Sequence, residues 1–186
     1  MEILKTYIRC IISIDEEELT EIIAAFYYKT IKKDACLLKA GQFCDAYYFV
    51  ERGALRISTT IDEKAFTSWF AFENYFFTET ESYVNTCRSR FSIQAIEESV
   101  ICSISRKKMD RFLQKSLAWN EFIRKNQEQA FIKLQDVVLS FQVQTATDRY
   151  ENLFNHPEFL QKVRQKDLAS MLGVTPFSLS RLRSKK

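Results

Sequence analysis

Toward its C-terminal end, the 186-residue chain carries the stretch Gln165-Lys166-Asp167-Leu168-Ala169-Ser170-Met171-Leu172-Gly173-Val174-Thr175-Pro176-Phe177-Ser178-Leu179-Ser180-Arg181-Leu182-Arg183. Thr175 is a good helix N-cap and Pro176 suits the first helical position, where its missing N–H leaves no bond unmade. A helix begun there buries Leu179 and Leu182 and turns Phe177, Ser178, Ser180, Arg181, Ser184 and Lys185 outward. Those types suit a DNA major groove: serines reach phosphates or base edges, arginine pairs with guanine, and an exposed phenylalanine meets a thymine methyl. Thr175, Gln165 and Lys166 complete the expected DNA-contacting set. Upstream, Leu168, Met171 and Leu172 form the buried face of a first helix, and Ala169 is small where the second crosses it. Gly173 permits the left-handed turn and Val174 plugs the gap between the helices. The pattern predicts a helix-turn-helix; its alternative is an αα-hairpin with a solvated basic face.

The charge distribution points the same way. Between Gln161 and Lys186 there are seven bases and one acid, whereas the whole chain carries only +3. A basic end on a slightly acidic body suits duplex DNA, whose phosphates release counterions when Lys or Arg approaches; a solvated tail is the alternative. Other chemistries fall away. Three glycines, Gly41, Gly53 and Gly173, cannot write a dinucleotide fingerprint or a phosphate loop. The lone histidine, His156, stands beside Pro157 with no cysteine or acidic cluster, so no catalytic residue and no metal ligand is assigned and no enzyme is expected. Cys10, Cys36, Cys44, Cys87 and Cys102 are odd in number and form no CxxC pair, which fits a reducing cytoplasm. No apolar run approaches the roughly 18 residues that span a bilayer, so no membrane partner is expected.

Several elements must position the motif. Acids at Asp15–Glu18 ahead of Leu19, Ile22, Ile23 and Phe26 predict a helix over 14–28. From Thr30 to Ile104 the pattern is β: segments 35–38, 46–51, 54–60, 65–72, 91–96 and 99–104, with Gly53 joining two antiparallel strands and Asp62-Glu63-Lys64 forming the next turn. A small antiparallel barrel or jelly roll accommodates them. A short helix opens at Ser105, and a long one covers 118–141. Along the latter Ile123, Gln127, Ala130, Leu134, Val137 and Phe141 follow coiled-coil spacing, with Phe122, Phe131 and Val138 on a second stripe. One face is expected to pack on the chain's own β-domain and the seam on the same helix of a second chain; burial within a monomer is the alternative. A further helix covers 145–154 and ends at Asn155-His156-Pro157. The fold class is therefore α+β, divided into a sensor domain (1–117), a dimerisation helix (118–142) and an all-α helix-turn-helix domain (143–186).

This order of elements resembles the Crp/Fnr family of bacterial transcription regulators over nearly the whole chain. The residues that carry the resemblance are Leu38–Gly53, similar to the start of the family's cyclic-nucleotide-binding barrel, Trp69–Asn74, and Gln165–Arg183. It implies a homodimer reading a two-fold related site on double-stranded DNA, a winged-helix-like C-terminal domain with a truncated wing, and RNA polymerase as a further partner. It also points to Phe72, Glu73, Asn74, Arg88 and Arg90 as ligand-pocket residues. The region Phe72–Glu81 lacks glycine, and Glu73, Glu79 and Glu81 bring carboxylates to where a phosphate would sit. Ser89-Arg90-Phe91 stands one residue out of the family's Arg-Ser-Ala register, which turns Arg90 away from a pocket unless a bulge restores it. No cofactor is identified, and cyclic AMP is not the expected effector; a different small molecule, or none, is. Cys10 stands alone where an iron–sulfur sensor needs a cluster, and no histidine is available to hold haem in the barrel. The competing function is a ligand- or partner-binding module whose helix-turn-helix no longer reads DNA.

Overall fold

Asp15 caps the first acid-led helix, its carboxylate accepting from the N–H groups of Glu17 at 2.9 Å and Glu18 at 3.1 Å. In the computed structural model, which describes residues 1–184, this helix is the second: α1 (Glu2–Ile11), not foreseen from the sequence, precedes α2 (Glu16–Ala24). Helix α2 is also shorter than expected. Ala25 ends it and Tyr27-Tyr28-Lys29-Thr30-Ile31 becomes a strand, β1 (Tyr27–Ile31), because a paired edge on the sheet outweighs the local helical register.

The remaining strands are β2 (Cys36–Leu38), β3 (Ala46–Arg52), β4 (Leu55–Ile61), β5 (Lys64–Ala71), β6 (Phe76–Phe77), β7 (Ser92–Ala95) and β8 (Ser99–Ser105). They form two four-stranded sheets in the orders β1-β8-β3-β6 and β2-β7-β4-β5, with every pairing antiparallel. All six expected segments are strands. The Gly53 turn, however, does not close a hairpin: β3 pairs with β8 and β6, β4 with β5 and β7, so the corner carries the chain from one sheet to the other. The true hairpin is β4–β5, turned by Asp62 and Glu63, both at positive φ.

Strand β3 shows why the sandwich has a helical layer. Its alternate residues point to opposite faces, and both faces are buried. Tyr48 and Val50 meet Leu38, Leu55, Ile93 and Ile101 between the sheets. Tyr47 and Phe49 meet Ile8, Leu19, Trp119 and Phe122 on the outer side. The last two come from α5 (Leu117–Val143), which follows α4 (Arg106–Lys115) and runs about 40 Å. The sandwich supports only the first part of it. Phe122 is fully buried, but Phe131 and Val138 are 61% and 50% exposed, so the second stripe does not lie on the chain's own β-domain as a whole.

After α5 come α6 (Ala146–Asn152), a 3-10 turn over Leu153–Asn155, α7 (Pro157–Lys162), α8 (Gln165–Leu172) and α9 (Pro176–Ser184). Helix α7, another element not foreseen, starts on the proline that ends the preceding segment. Phe159, Leu168, Ala169, Leu172 and Leu179 form a third core that takes Phe70 from the sandwich.

Gly53 sits at φ +98°, and a Cβ there would lie 2.4 Å from Ser99 Oγ and 2.8 Å from the Glu98 carbonyl oxygen. We expect Gly53→Ala to destabilise the protein by more than about 1 kcal/mol through backbone conformation alone, with the clash adding to it. The urea midpoint of unfolding measures this; Gly41→Ala, where a Cβ meets nothing within 4 Å, isolates the φ contribution.

Candidate nucleic-acid interface

The helix-turn-helix forms as its residues dictate. Gly173 adopts φ +71° after α8, and the Val174 N–H donates to the Ala169 carbonyl at 3.0 Å. Thr175 Oγ1 accepts from the Ser178 N–H at 3.1 Å and lies 2.9 Å from Ser178 Oγ, so α9 is capped from its first turn. Leu168, Ala169, Leu172 and Leu179 are buried, with Met171, Val174 and Leu182 packed around them.

Outward on α9 stand Phe177, Ser178, Ser180, Arg181 and Ser184. Phe177 is 71% exposed and the Arg181 guanidinium lies 5.9 Å from its ring centre, so cation and ring share one surface. Ser184 Oγ turns back to donate to the Arg181 carbonyl. Arg183, absent from the expected set, is exposed one turn from Ser180; its basic type was the available signal. Lys166 is exposed on α8, while Gln165 is half-buried and its Nε2 donates to the Pro176 carbonyl at 3.4 Å, bracing α9. Lys185 lies outside the described residues.

The basic end is thinner than composition implies. Lys162 Nζ lies 2.8 Å from Glu97 and 3.6 Å from Glu73, and the bond to Glu97 holds its amine pKa above the ordinary lysine value. Arg164 pairs with Asp34 at 2.9 Å. These two bases are matched to acids of the sandwich, leaving Lys166, Arg181 and Arg183 without salt bridges among the described residues.

Those pairs belong to a larger contact that seats α8 on the β4–β5 hairpin. Arg56 of β4 meets Asp167 of α8 at 3.2 Å with both side chains nearly buried, and Arg56 Nε also donates to Thr67 Oγ1 at 2.8 Å. The Thr67 N–H donates in turn to Ser170 Oγ at 2.9 Å. The head that carries α9 is thus fixed to the sandwich by a charge pair, a hydrogen bond and the Phe70 cluster.

The expected ligand residues do not converge. Phe72, Glu73 and Asn74 line a cavity shared with α5 and the C-terminal helices; Phe72 packs on Phe159 at 4.8 Å, and Glu73 Oε1 accepts from the Gly53 N–H. Arg88 lines a separate cleft with Tyr27, Leu38, Phe43 and Tyr48, donating to the Gly41 carbonyl at 2.7 Å. Arg90 points to solvent and pairs with Glu81 at 2.7 Å. The resemblance groups residues from opposite ends of a sheet: Phe72–Asn74 form the β5–β6 turn beside the end of β7, whereas Arg88 and Arg90 precede its start. Near the anticipated phosphate position the buried Glu79 carboxylate accepts from the Ser82 N–H at 3.1 Å, capping α3 (Thr80–Asn85) internally.

The seam residues are also divided. Ile123 packs against the helical core, and Gln127 Nε2 donates to the Tyr47 hydroxyl at 2.9 Å. Ala130 and Leu134 are exposed, Val137 lines the cavity, and Phe141 carries the Arg149 guanidinium 4.4 Å above its ring. Among the cysteines, Cys44 and Cys102 are buried; Cys102 Sγ donates to Glu51 at 2.8 Å, and burial raises its thiol pKa. Among the described residues no helix is long and apolar enough to cross a membrane.

Two four-stranded antiparallel sheets continued by one long helix into a C-terminal helix-turn-helix define a class of fold. Comparison places the fold within it. Residues 28–116 match the family model of the cyclic nucleotide-binding domain. No curated protein sequence matches the chain. FixK2 from Bradyrhizobium japonicum superposes with TM-score 0.73 at 15% identity, covering 86% of this chain and 83% of that one. CLP from Xanthomonas campestris, described as a c-di-GMP-responsive global regulator, gives 0.70 at 14% identity over 92% and 91%. A transcriptional regulator of the Crp/Fnr family from Eubacterium rectale gives 0.70 at 14% over 92% and 83%. The chain has the Crp/Fnr fold, its residues 28–116 forming the part similar to the cyclic nucleotide-binding domain, with a helix-turn-helix at its C-terminal end.

Removing Asp167 leaves Arg56 nearly buried without its counter-ion. Asp167→Ala is expected to cost about 3 kcal/mol, whereas breaking the exposed Asp34–Arg164 pair with Asp34→Ala costs less than about 1 kcal/mol. Denaturant unfolding of the two variants side by side checks the contrast.

Proposed function

We propose that the protein is a homodimeric DNA-binding transcription regulator of the Crp/Fnr type, acting in the cytoplasm under the control of an effector other than cyclic AMP. The observation that carries the reading is the outer face of α9: a capped, well-packed helix presenting Phe177, Ser180, Arg181 and Arg183 to solvent, with neither guanidinium in a salt bridge among the described residues. Arg181 pairs with a base edge or phosphate, Phe177 offers an apolar contact, and Lys166 and Arg183 approach the backbone. The Thr175 and Ser178 hydroxyls cap the helix first and contact DNA only through what that geometry leaves free.

Dimerisation is supported by the far half of α5, where Phe131, Leu134 and Val138 repeat at helical spacing and are all exposed. A second copy of the same helix covers them and places two heads on one duplex, which matches a two-fold related site. Against cyclic AMP stand the Glu79 carboxylate, which takes the Ser82 N–H at the start of α3, and the pairing of Arg90 with Glu81, which occupies that cation.

Titrating purified protein with duplex DNA from upstream of its own gene, at two salt concentrations and with and without cyclic AMP, tests the reading. Tight, salt-sensitive binding indifferent to cyclic AMP is the expected result. Arg181→Ala should weaken it by about 1–3 kcal/mol or lower the salt slope by about one, with circular dichroism unchanged. Absence of DNA binding at low salt from an intact dimer would turn the assignment toward a partner-binding module. Leu134→Glu should convert the dimer to a folded monomer in sedimentation and lower DNA affinity in parallel.

A further inference from the structure

We propose that the effector site is the cavity where β5, α5 and the C-terminal helices meet, and that it takes a flat aromatic molecule bearing an acidic group. This rests on the regulator reading above. The site lies apart from the Glu79–Arg90 region. Its volume is about 570 Å³, inside the range of about 300–1,000 Å³ typical of small-molecule sites. One wall is aromatic. Trp69, Phe70 and Phe72 line it from the sandwich, and Phe159 of α7 meets Phe70 and Phe72 edge-on, with centroids 6.0 Å and 4.8 Å away. Such a wall favours a planar ring system.

One cation of the lining is placed to take an anion. Arg149 is half-buried, and its terminal nitrogens donate to the Gln144 and Leu172 carbonyls at 2.8 Å and 3.2 Å. Among the described residues it forms no salt bridge, and its buried Nε has no hydrogen-bond partner. Lys133 forms no salt bridge among them either. Among the lining acids Glu73 lies 3.6 Å from Lys162, and Glu158 lies 3.7 Å from His156 Nδ1, a charged partner only when that imidazole is protonated. The anion is therefore selected locally, at Arg149, and not by the summed charge of the lining. A guanidinium withdrawn from water without a counter-ion is stabilised by a bound carboxylate or sulfonate.

The site also explains how occupancy reaches the head. Met171 and Leu172 of α8 belong to its wall, and the Leu172 carbonyl is one of the two that Arg149 holds. A ligand that binds the docked arrangement more tightly than an undocked one shifts the population of heads accordingly.

The probe is 8-anilinonaphthalene-1-sulfonate, an aromatic sulfonate, added to the full-length protein, with its emission followed to saturation. One dye per chain is expected. Val137→Trp, which fills the cavity from α5, should weaken binding by about tenfold or more, and Lys133→Gln by a smaller factor. Circular dichroism establishes that both variants are folded. Val84→Gln, exposed on α3, should leave dye affinity unchanged, and uncharged N-phenyl-1-naphthylamine should bind more weakly than the sulfonate. The site is overturned if Val137→Trp binds dye as the parent does, if Val84→Gln abolishes binding, or if no saturable binding occurs. Equal affinity for the uncharged dye overturns the acidic group. DNA binding is read on the same samples: dye binding without DNA binding removes the regulator reading and keeps the site, and the reverse removes the site alone.

Discussion

Placing Arg56 and Asp167 together out of water constrains everything C-terminal to the long helix. Desolvating two charges is expensive, and the pair persists because Arg56 also donates to Thr67 while Thr67 and Ser170 complete the hydrogen bonding around it. A charge pair tolerates less displacement than an apolar contact, since a small separation leaves each partner buried and unmatched. The Phe70 cluster supplies area; the ion pair supplies register. Together they set the direction in which α9 faces, and hence which side chains meet a partner.

The sandwich and the helix-turn-helix were legible in the sequence for different reasons. In the motif, local sterics suffice: Gly173 needs a positive φ, Thr175 and Pro176 mark a helix start, and Leu179 falls where the core requires it. In the sandwich, period-two alternation located six strands within a residue or two. What alternation cannot show is pairing. Tyr47–Val50 and Leu55–Ile57 read as neighbours across Gly53, yet they lie in different sheets, because the corner is stabilised by Ser99 and Glu73 from elsewhere in the chain. Helices α1 and α7 carry weak local signals and owe their place to the cores they cover.

Site residues were less legible, since partnership is a property of space. Lys162 and Arg164 count in the sequence toward the basic end and are matched in space to Glu97 and Asp34, more than 60 residues away in each case. Arg88 and Arg90 read as one pocket and face different surroundings. The cavity beside Arg149 had no sequence signature, because its walls come from segments separated by roughly half the chain.

The docking of the head onto the β4–β5 hairpin also has a meaning for how the chain comes to be folded. Thr67 and Ser170 are 103 residues apart, and the contact between them forms only after a sandwich of non-local strand pairs exists to receive it. The short helices of the head, by contrast, are built from near-neighbour contacts that close fast. A newly made chain is therefore expected to acquire its helix-turn-helix before it acquires the surface that holds it. The head's orientation is the last thing the chain settles.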